Sequence, residues 1–333
     1  HSSFTYVMRA RNSGTHWYHS HYGIQRADGL HGAFIILEDE EDNEEMSWIT
    51  MVLTDWWNVD SIYLAGADPY RYGNTFGAQM TGPGGVACRT EDKSFLAGVK
   101  LSGFCVDSIL ANGRGQSRLP NSDNFEFSVA EEYHVSKTTK RIQLKTIHAG
   151  FEFPVLIRSA DGRKLIVSAH DGRRTVPEEG DAVFMAVGET LNIEVEFPLD
   201  QKRLELIAEI MFEGLGKKAR PSDRPYVMIS IVRNESVTDF DVQTKLVPVY
   251  ENSPIPEPFK LHETNDSGPE KLILNCPAEN FVNIECKTVT DFKRDFRFES
   301  RFENPPPSAF EKPDRIVDLN FNFAAGAAIN GIE

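Results

Sequence analysis

The chain has 333 residues, with 35 Lys and Arg against 50 Asp and Glu, so its formal net charge is −15. A hydrophobic content of 40% is sufficient for folded cores, and the length predicts two or three domains. The excess of negative charge opposes the phosphate contacts on which nucleic-acid affinity depends, and this excludes nucleic acid as a partner. No run approaches the roughly 18 apolar residues that span a bilayer, so no membrane segment is predicted.

A histidine-rich segment follows the first predicted strand, Phe4–Val7. Residues 14–32 contain four of the nine histidines of the chain. If residues 17–21 are extended, His19 and His21 project from the same face of the strand. Two imidazoles without nearby carboxylates or several thiolates favour copper or zinc over magnesium and calcium. The spacing therefore predicts a metal site.

An abrupt change of composition marks the first domain boundary. Seven of the eight residues in 38–45 are acidic, and they come directly after the apolar run Ala33–Leu37. This pattern predicts the end of a buried strand and the start of a solvated connection. Residues 1–45 contain too few strands to bury a core, so they are predicted to be the last part of a domain. Apolar patterning resumes at Trp48–Leu53 and predicts a second domain over residues 46–250.

Short strands with turns between them dominate the second predicted domain. In Thr190–Phe197 every odd position is apolar and every even position is polar, which is typical of a strand with one buried face. Further strands are predicted at Ile142–Ile147, Phe153–Ile157, Leu165–Val167 and Tyr226–Val232. Many short strands without long amphipathic helices predict an all-β sandwich or barrel. The proline-rich remainder, residues 251–333, favours an extended linker.

The cysteines and glycosylation sequons indicate an oxidising compartment. The four cysteines are Cys88, Cys105, Cys276 and Cys286. None forms a CxxC or CxxH pair, which argues against zinc-finger and thioredoxin-like sites and leaves two local disulfides as the expectation. Sequons begin at Asn234 and Asn265, and together with the disulfides they predict a secreted glycoprotein.

The histidine segment also carries a family resemblance. Its sequence Gly14-Thr-His-Trp-Tyr-His-Ser-His21, followed by Gln25, Asp28-Gly29-Leu30 and Gly32, resembles the second copper-binding motif of the multicopper oxidases, particularly the laccase-like, three-domain branch. Weaker similarities to the same family continue at Leu53–Trp57, Ser108–Gly115, Asp161–Gly172 and Ile329–Ile332. The resemblance implies an all-β, cupredoxin-like Greek-key fold. It also implies a partial chain, in which residues 1–45 end domain 1, residues 46–250 form domain 2, and residues 251–333 lead into domain 3.

The resemblance assigns roles to four residues of the segment. His19 and His21 would each bind one of the paired type 3 coppers of a trinuclear cluster. Trp17 would pack beside them and fix their side-chain orientation. Asp28 would relay protons during oxygen reduction, although an Asp before a glycine is equally typical of a turn. His16 and His31 occupy positions where the family varies, and they are expected to be solvent-facing or hydrogen-bonded histidines.

The function implied by the resemblance is the oxidation of a small-molecule, phenol-type reductant coupled to the reduction of O2 to water. Only one of the family's four copper motifs is present, and neither Cys276 nor Cys286 has a flanking histidine. The type 1 copper site is therefore absent from this chain, the trinuclear cluster is only partly encoded, and the remaining cupredoxin domains are required partners. The isolated chain is expected to be inactive. Two alternatives remain open, namely an oxidase of Fe(II) or Cu(I), and a non-catalytic cupredoxin-like module.

Overall fold

The fold was analysed in a computed structural model. The structure describes residues 3–10, 12–22, 25–37, 45–56, 95–96, 99–100, 108–118, 125–151, 154–210, 225–238, 242–248, 256, 271–275, 321–322 and 328–329. All regular elements in these ranges are strands, so the all-β class expected from the sequence is confirmed. None of the described residues forms a helix with the length and apolarity that crossing a bilayer requires.

Twenty strands occur in the described ranges. They are β1 (Gly14–His19), β2 (His31–Ile36), β3 (Met46–Trp56), β4 (Phe95–Leu96), β5 (Val99–Lys100), β6 (Ser108–Ala111), β7 (Arg114–Arg118), β8 (Phe125–Val135), β9 (Arg141–His148), β10 (Val155–Ser159), β11 (Leu165–His170), β12 (Arg173–Gly180), β13 (Ala182–Met185), β14 (Thr190–Glu196), β15 (Arg203–Ile210), β16 (Tyr226–Arg233), β17 (Gln243–Pro248), β18 (Ile273–Leu274), β19 (Phe321–Asn322) and β20 (Ala328–Ile329).

Most of these strands belong to one sheet that curls into a nearly closed barrel. Its strand order is β12-β11-β14-β9-β3-β6-β7-β8-β16-β15-β10-β13-β18, and β17 also pairs with β8. Three pairs are parallel, namely β3 with β9, β8 with β16 and β13 with β18. The other pairs in this sheet are antiparallel. This mixture of parallel and antiparallel pairs requires crossovers between strands that are distant in the sequence.

Asp181 joins the two ends of the sheet. It is the single residue between β12 and β13, which lie near opposite ends of the strand order. Its backbone N–H donates to the carbonyl oxygen of Leu272 at 2.7 Å, and its carboxylate accepts from the N–H of Leu272 at 2.7 Å. These bonds hold the segment before β18 against the junction. The sheet therefore closes through a bent strand rather than through a loop, which leaves less exposed edge.

Alternation along the strands places the core inside the barrel. Leu191, Ile193 and Val195 of β14 are fully buried members of the hydrophobic core, as the odd-even pattern of that segment predicted. Burial of one such aliphatic side chain contributes about 1.5–3 kcal/mol to folding. The opposite face of β14 carries Thr190 and Asn192, which point away from this core.

Strands β1 and β2 form a separate hairpin that packs on the outer face of the barrel. The hairpin pairs Thr15 with Ile35 and His19 with His31. Strand β1 lies against β9 and β14. Since an isolated two-stranded hairpin is marginally stable in water, this packing is a major part of what holds β1 in place.

The strand predictions were confirmed in the barrel and failed at the amino terminus. Four predicted strands correspond to β9, β11, β14 and β16, and the prediction over Phe153–Ile157 corresponds to β10. Phe4–Val7 is not a strand, and its Phe4 and Val7 side chains are 79% and 95% exposed. No described strand pairs with this segment, so its β-forming residues lack a partner. Strand β1 also ends at His19, two residues before the end of the predicted extended segment.

We expect Leu206→Ala to lower the free energy of unfolding by about 2–5 kcal/mol, because it removes buried methyl groups and leaves a cavity. Leu206 of β15 is 0% exposed within the core. The matched control is Leu199→Ala at a side chain that is 55% exposed, where we expect a change within about 0.5 kcal/mol. Urea denaturation of the two variants measures both values, and similar losses would contradict the assignment of the core.

Candidate metal centre

His19 and His21 lie close together at the end of β1. Their ring centroids are 5.8 Å apart and the ring planes are inclined by 31°. His19 is half-buried and His21 is exposed. The strand ends at His19, so His21 lies just beyond it, yet the two rings remain close to each other. The arrangement presents two imidazoles to the same region, as two ligands of a metal centre require.

Trp17 stacks on His19, as its position in the strand predicts. The centroids of the indole and imidazole rings are 4.4 Å apart, with 31° between the planes. Residues two apart in a strand share a face, so the stack follows from the alternation of β1. The contact restricts rotation of the His19 ring.

A hydrogen bond to the backbone determines which ring nitrogen of His19 is available. Its Nδ1 lies 2.8 Å from the carbonyl oxygen of Ser20. A carbonyl oxygen only accepts, so Nδ1 carries a proton and donates it, which leaves Nε2 as the nitrogen that can bind a metal. Metal-binding histidines commonly donate their other ring N–H to such an acceptor. His19 is therefore in the tautomer that binds a metal through Nε2.

The loop that follows β1 is closed by its own hydrogen bonds. The Ser20 hydroxyl donates to Oε1 of Gln25 at 2.6 Å, and the N–H of Tyr22 donates to the Ser20 hydroxyl at 3.2 Å. The N–H of Ser20 donates to the carbonyl of Leu30 at 2.9 Å, and the N–H of Leu30 donates to the carbonyl of Gln25 at 3.0 Å. These bonds fix the backbone on both sides of His21.

Asp28 lies in the turn of this loop. It is exposed, and the following Gly29 has a φ of 95°, which a residue with a side chain rarely adopts. The N–H of Gly29 donates to the carbonyl of Arg26 at 3.1 Å. The position fits the turn interpretation of Asp28, and its exposure allows proton exchange with water.

The other two histidines of the segment are partly buried. His31 pairs directly with His19 across the hairpin, and its Nδ1 is buried without a hydrogen-bond partner. Burial, the nearby charge of Arg26 and the His19 ring together lower the pKa of His31, so the ring is neutral at pH 7. The ring of His16 packs against Gly172 of the barrel, and its Nε2 is also buried without a partner.

The donor set fits copper or zinc but is incomplete. Two imidazoles are suitable ligands for either ion, and His19 has the tautomer that binding requires. Within the described ranges, no group of three or more His, Cys, Asp or Glu side chains is arranged to hold a metal ion. The four cysteines, Cys88, Cys105, Cys276 and Cys286, lie outside these ranges. Any further ligands would have to lie outside the described ranges.

Comparison with known proteins identifies the relationship of this chain. Residues 1–41 match the sequence model of the multicopper oxidase family. Laccase UstL of Ustilaginoidea virens is 36% identical over 35% of this chain and 16% of its own length. Laccase-1 of Fomitopsis schrenkii is 24% identical over 87% of this chain and 45% of its own length. The chain is therefore similar in sequence to multicopper oxidases, most clearly in its amino-terminal part.

Among solved structures, the multicopper oxidase Fet3p, described as functioning in iron import, matches with a TM-score of 0.45 and 18% identity. The match covers 68% of this chain and 35% of that chain. The chain thus spans less than half the length of the curated relatives named above. The sequence resemblance to multicopper oxidases is confirmed, and copper is the metal that this relationship implies.

Sequence reasoning missed the residues of the barrel that hold the histidine hairpin. Thr15 is 2% exposed and its hydroxyl donates to Oδ1 of Asn192 at 2.6 Å. The hydroxyl of Thr190 in turn donates to the carbonyl of Thr15 at 2.8 Å. About 175 residues separate the partners, so no local pattern could have indicated these contacts.

His170 is another residue whose partners became visible only in the structure. Its Nε2 donates to Oε1 of Glu189 at 3.3 Å, and Asp171 lies on its other side. The hydrogen bond to Glu189 raises the pKa of His170 despite the opposing effect of burial, and the charge of Asp171 adds to the increase. Glu189 also accepts from the amide of Asn275 at 2.9 Å and from the N–H of Ala186 at 2.8 Å.

We expect His170→Gln to reduce the loss of stability that occurs as the pH rises through the folded-state pKa of His170. Because the folded-state pKa of His170 is raised above its usual 6.5, the charged ring stabilises the fold fully below about pH 6.5, and this contribution is lost as pH rises through the higher folded value. Denaturation at about pH 6 and pH 8.5 should show a larger decrease in stability for the wild type than for the variant. An equal decrease in both would contradict the charge interaction with Glu189.

Proposed function

We propose that this chain is part of a laccase-like multicopper oxidase, which couples one-electron oxidation of phenol-type substrates to the four-electron reduction of O2 to water. The observation that carries the proposal is the pair His19 and His21, whose ring centroids are 5.8 Å apart. The relationship to multicopper oxidases supports the choice of copper. The small-molecule reductant and O2 are the proposed substrates of the whole enzyme.

Each residue of the site has a proposed task in holding the metal. His19 and His21 would bind the type 3 coppers, one on each ion, and His19 would use Nε2 because its Nδ1 donates to Ser20. Trp17 would keep the His19 ring oriented through the stack. Bound copper would supply the electron transfer to dioxygen. The protein residues supply orientation, which preorganises the ligands and limits the rearrangement that binding requires.

Asp28 is the proposed proton-relay residue. Reduction of O2 to water consumes protons, so an exposed carboxyl group in the histidine loop, which can accept a proton and pass it on, is a suitable relay. Asp28 is exposed and lies three residues after Gln25, which is bonded to Ser20. The competing interpretation, a purely structural turn residue before Gly29, predicts that Asp28→Asn leaves the pH profile of oxidation unchanged.

The remaining ligands are proposed to come from further cupredoxin domains. Residues 1–45 would end domain 1, residues 46–250 would form domain 2, and residues 251–333 would lead to domain 3. Strand β18 lies in the third of these segments and pairs with β13 of the barrel, which would make the linker part of the domain 2 sheet. The type 1 copper site would also lie outside this chain.

Secretion, disulfides and glycosylation are proposed for the same protein. The cysteines and Asn265 lie outside the described residues, whereas Asn234 follows β16 in a turn. The hydroxyl of Ser236 donates to Oδ1 of Asn234 at 2.7 Å, so the sequon residues are close to each other. Glu235 and Ser236 are exposed, which leaves this turn accessible in the folded protein.

We expect the 333-residue chain to bind Cu(II) through the histidine pair, and His21→Gln to weaken this binding by roughly tenfold or more. The matched control is His134→Gln in the barrel, where His134 contacts Glu132 at 3.0 Å, and there the affinity should not change. Equilibrium dialysis gives the affinity, and nitrogen hyperfine structure in the electron paramagnetic resonance spectrum identifies imidazole ligands. Equal affinities of the wild type and His21→Gln would contradict the assignment.

Oxidation assays separate the proposed function from its alternatives. The isolated chain should show no intense blue absorbance and no turnover, because the type 1 site is proposed to lie elsewhere. A protein that also contains the proposed further cupredoxin domains, here called the longer protein, should oxidise a phenol at a higher rate than Fe(II) or Cu(I). Turnover with the metal ions alone would favour a metal oxidase, and absence of any turnover in the copper-loaded longer protein would favour a non-catalytic cupredoxin-like module.

A further inference from the structure

The strand that ends at His19 is held on the barrel by a reciprocal polar contact at its opposite end. Thr15 donates its hydroxyl to Asn192, and the backbone carbonyl of the same Thr15 accepts from the hydroxyl of Thr190. Thr15 and Thr190 are 2% and 3% exposed, and Asn192 is 9% exposed. Bonds in such a desolvated location contribute more, and their loss costs more, than at the surface.

The same end of β1 also packs on a glycine turn of the barrel. A Cβ atom added at Gly14 would lie 2.5 Å from the carbonyl oxygen of Gly172. A Cβ atom added at Gly172 would overlap the ring of His16. Gly172 has a φ of 73°, a conformation that favours glycine. The absence of side chains at both positions lets β1 lie directly against the turn between β11 and β12.

Thr190 and this glycine turn form one rigid unit. The N–H of Thr190 donates to the carboxylate of Asp171 at 3.0 Å, and the N–H of Asp171 donates to the carbonyl of Thr190 at 2.8 Å. Thr190 also pairs with Ile147 of β9, which lies between β14 and β3 in the barrel sheet. The position of the Thr190 hydroxyl is therefore set by the barrel and not by the hairpin.

The anchored residue and the first histidine ligand share one face of β1. Thr15, Trp17 and His19 are at alternating positions, so their side chains point to the same side. Thr15 and His19 are four residues apart, or about 13 Å along an extended strand. A strand paired along its whole length transmits a displacement at Thr15 to His19, because Thr15 pairs with Ile35 and His19 pairs with His31 in one continuous register.

We propose that Thr190 is a positioning residue for the metal centre, which fixes β1 and thereby the location of His19 through the carbonyl of Thr15. The part of this inference that concerns copper rests on the proposed function. Thr190 contacts neither His19 nor His21 in its described hydrogen bonds. Its effect on the metal is exerted through the strand.

The test compares Thr190→Val with Thr190→Ser in the 333-residue chain. Valine keeps the shape of threonine and removes the hydroxyl, whereas serine keeps the hydroxyl and removes a methyl group. Loss of one desolvated hydrogen bond should increase amide hydrogen exchange in residues 15–19 by roughly tenfold in Thr190→Val. Thr190→Ser should restore slow exchange. Exchange in β15, on the other part of the barrel, should be the same in both variants.

Copper binding provides the second measurement. The dissociation constant for Cu(II), measured by equilibrium dialysis, should increase several-fold in Thr190→Val and return towards the wild-type value in Thr190→Ser. Equal exchange of residues 15–19 in the two variants would overturn the proposal, as would faster exchange of β15 to the same extent, since that result would show general destabilisation. If the wild-type chain does not bind Cu(II), the copper function fails, and the exchange result still decides whether Thr190 holds β1.

Discussion

The geometry of the histidine pair depends on the docking of a two-stranded hairpin against a barrel. A hairpin of six-residue strands buries too little apolar surface to be stable alone. The outer face of the barrel supplies the missing partners, through Thr190, Asn192 and the backbone at Gly172. The position of His19 therefore depends on a stable barrel, although His19 is not a member of the barrel core.

The polar nature of this contact has a structural reason. The outer face of β9 and β14 carries Lys145 next to Asn192 in the strand register. Lys145 is 1% exposed, with its ammonium 4.7 Å from the centroid of the Trp48 ring. A buried ammonium needs compensation from an aromatic face or from polar atoms. The face on which β1 packs therefore carries polar side chains, and Thr15 contacts one of them, Asn192.

Local sequence patterns predicted the features that depend on neighbouring residues of the chain. The alternation in Thr190–Phe197 predicted β14. The spacing of His19 and His21 predicted two neighbouring imidazoles, and their ring centroids are 5.8 Å apart. Three features could not be predicted, because they depend on contacts between distant residues. The alternating start at Phe4–Val7 has no strand partner, Asp181 bends one strand between two ends of the sheet, and Thr190 reaches across about 175 residues to Thr15.

The protonation state of the histidines completes the link between fold and metal binding. A metal competes with protons for imidazole nitrogen, so a binding site is more effective when the fold keeps its rings neutral and correctly oriented. The carbonyl of Ser20 accepts the Nδ1 proton of His19 and thereby orients the ring. Burial lowers the pKa of His31, and the positive charge of Arg26, which lies over Phe151 of the barrel at 5.7 Å, lowers it further. The Arg26 guanidinium, which disfavours protonation of His31 beside His19, is thus itself packed against the barrel. The docking that orients His19 therefore also contributes to the electrostatic environment in which the histidine pair would bind a metal.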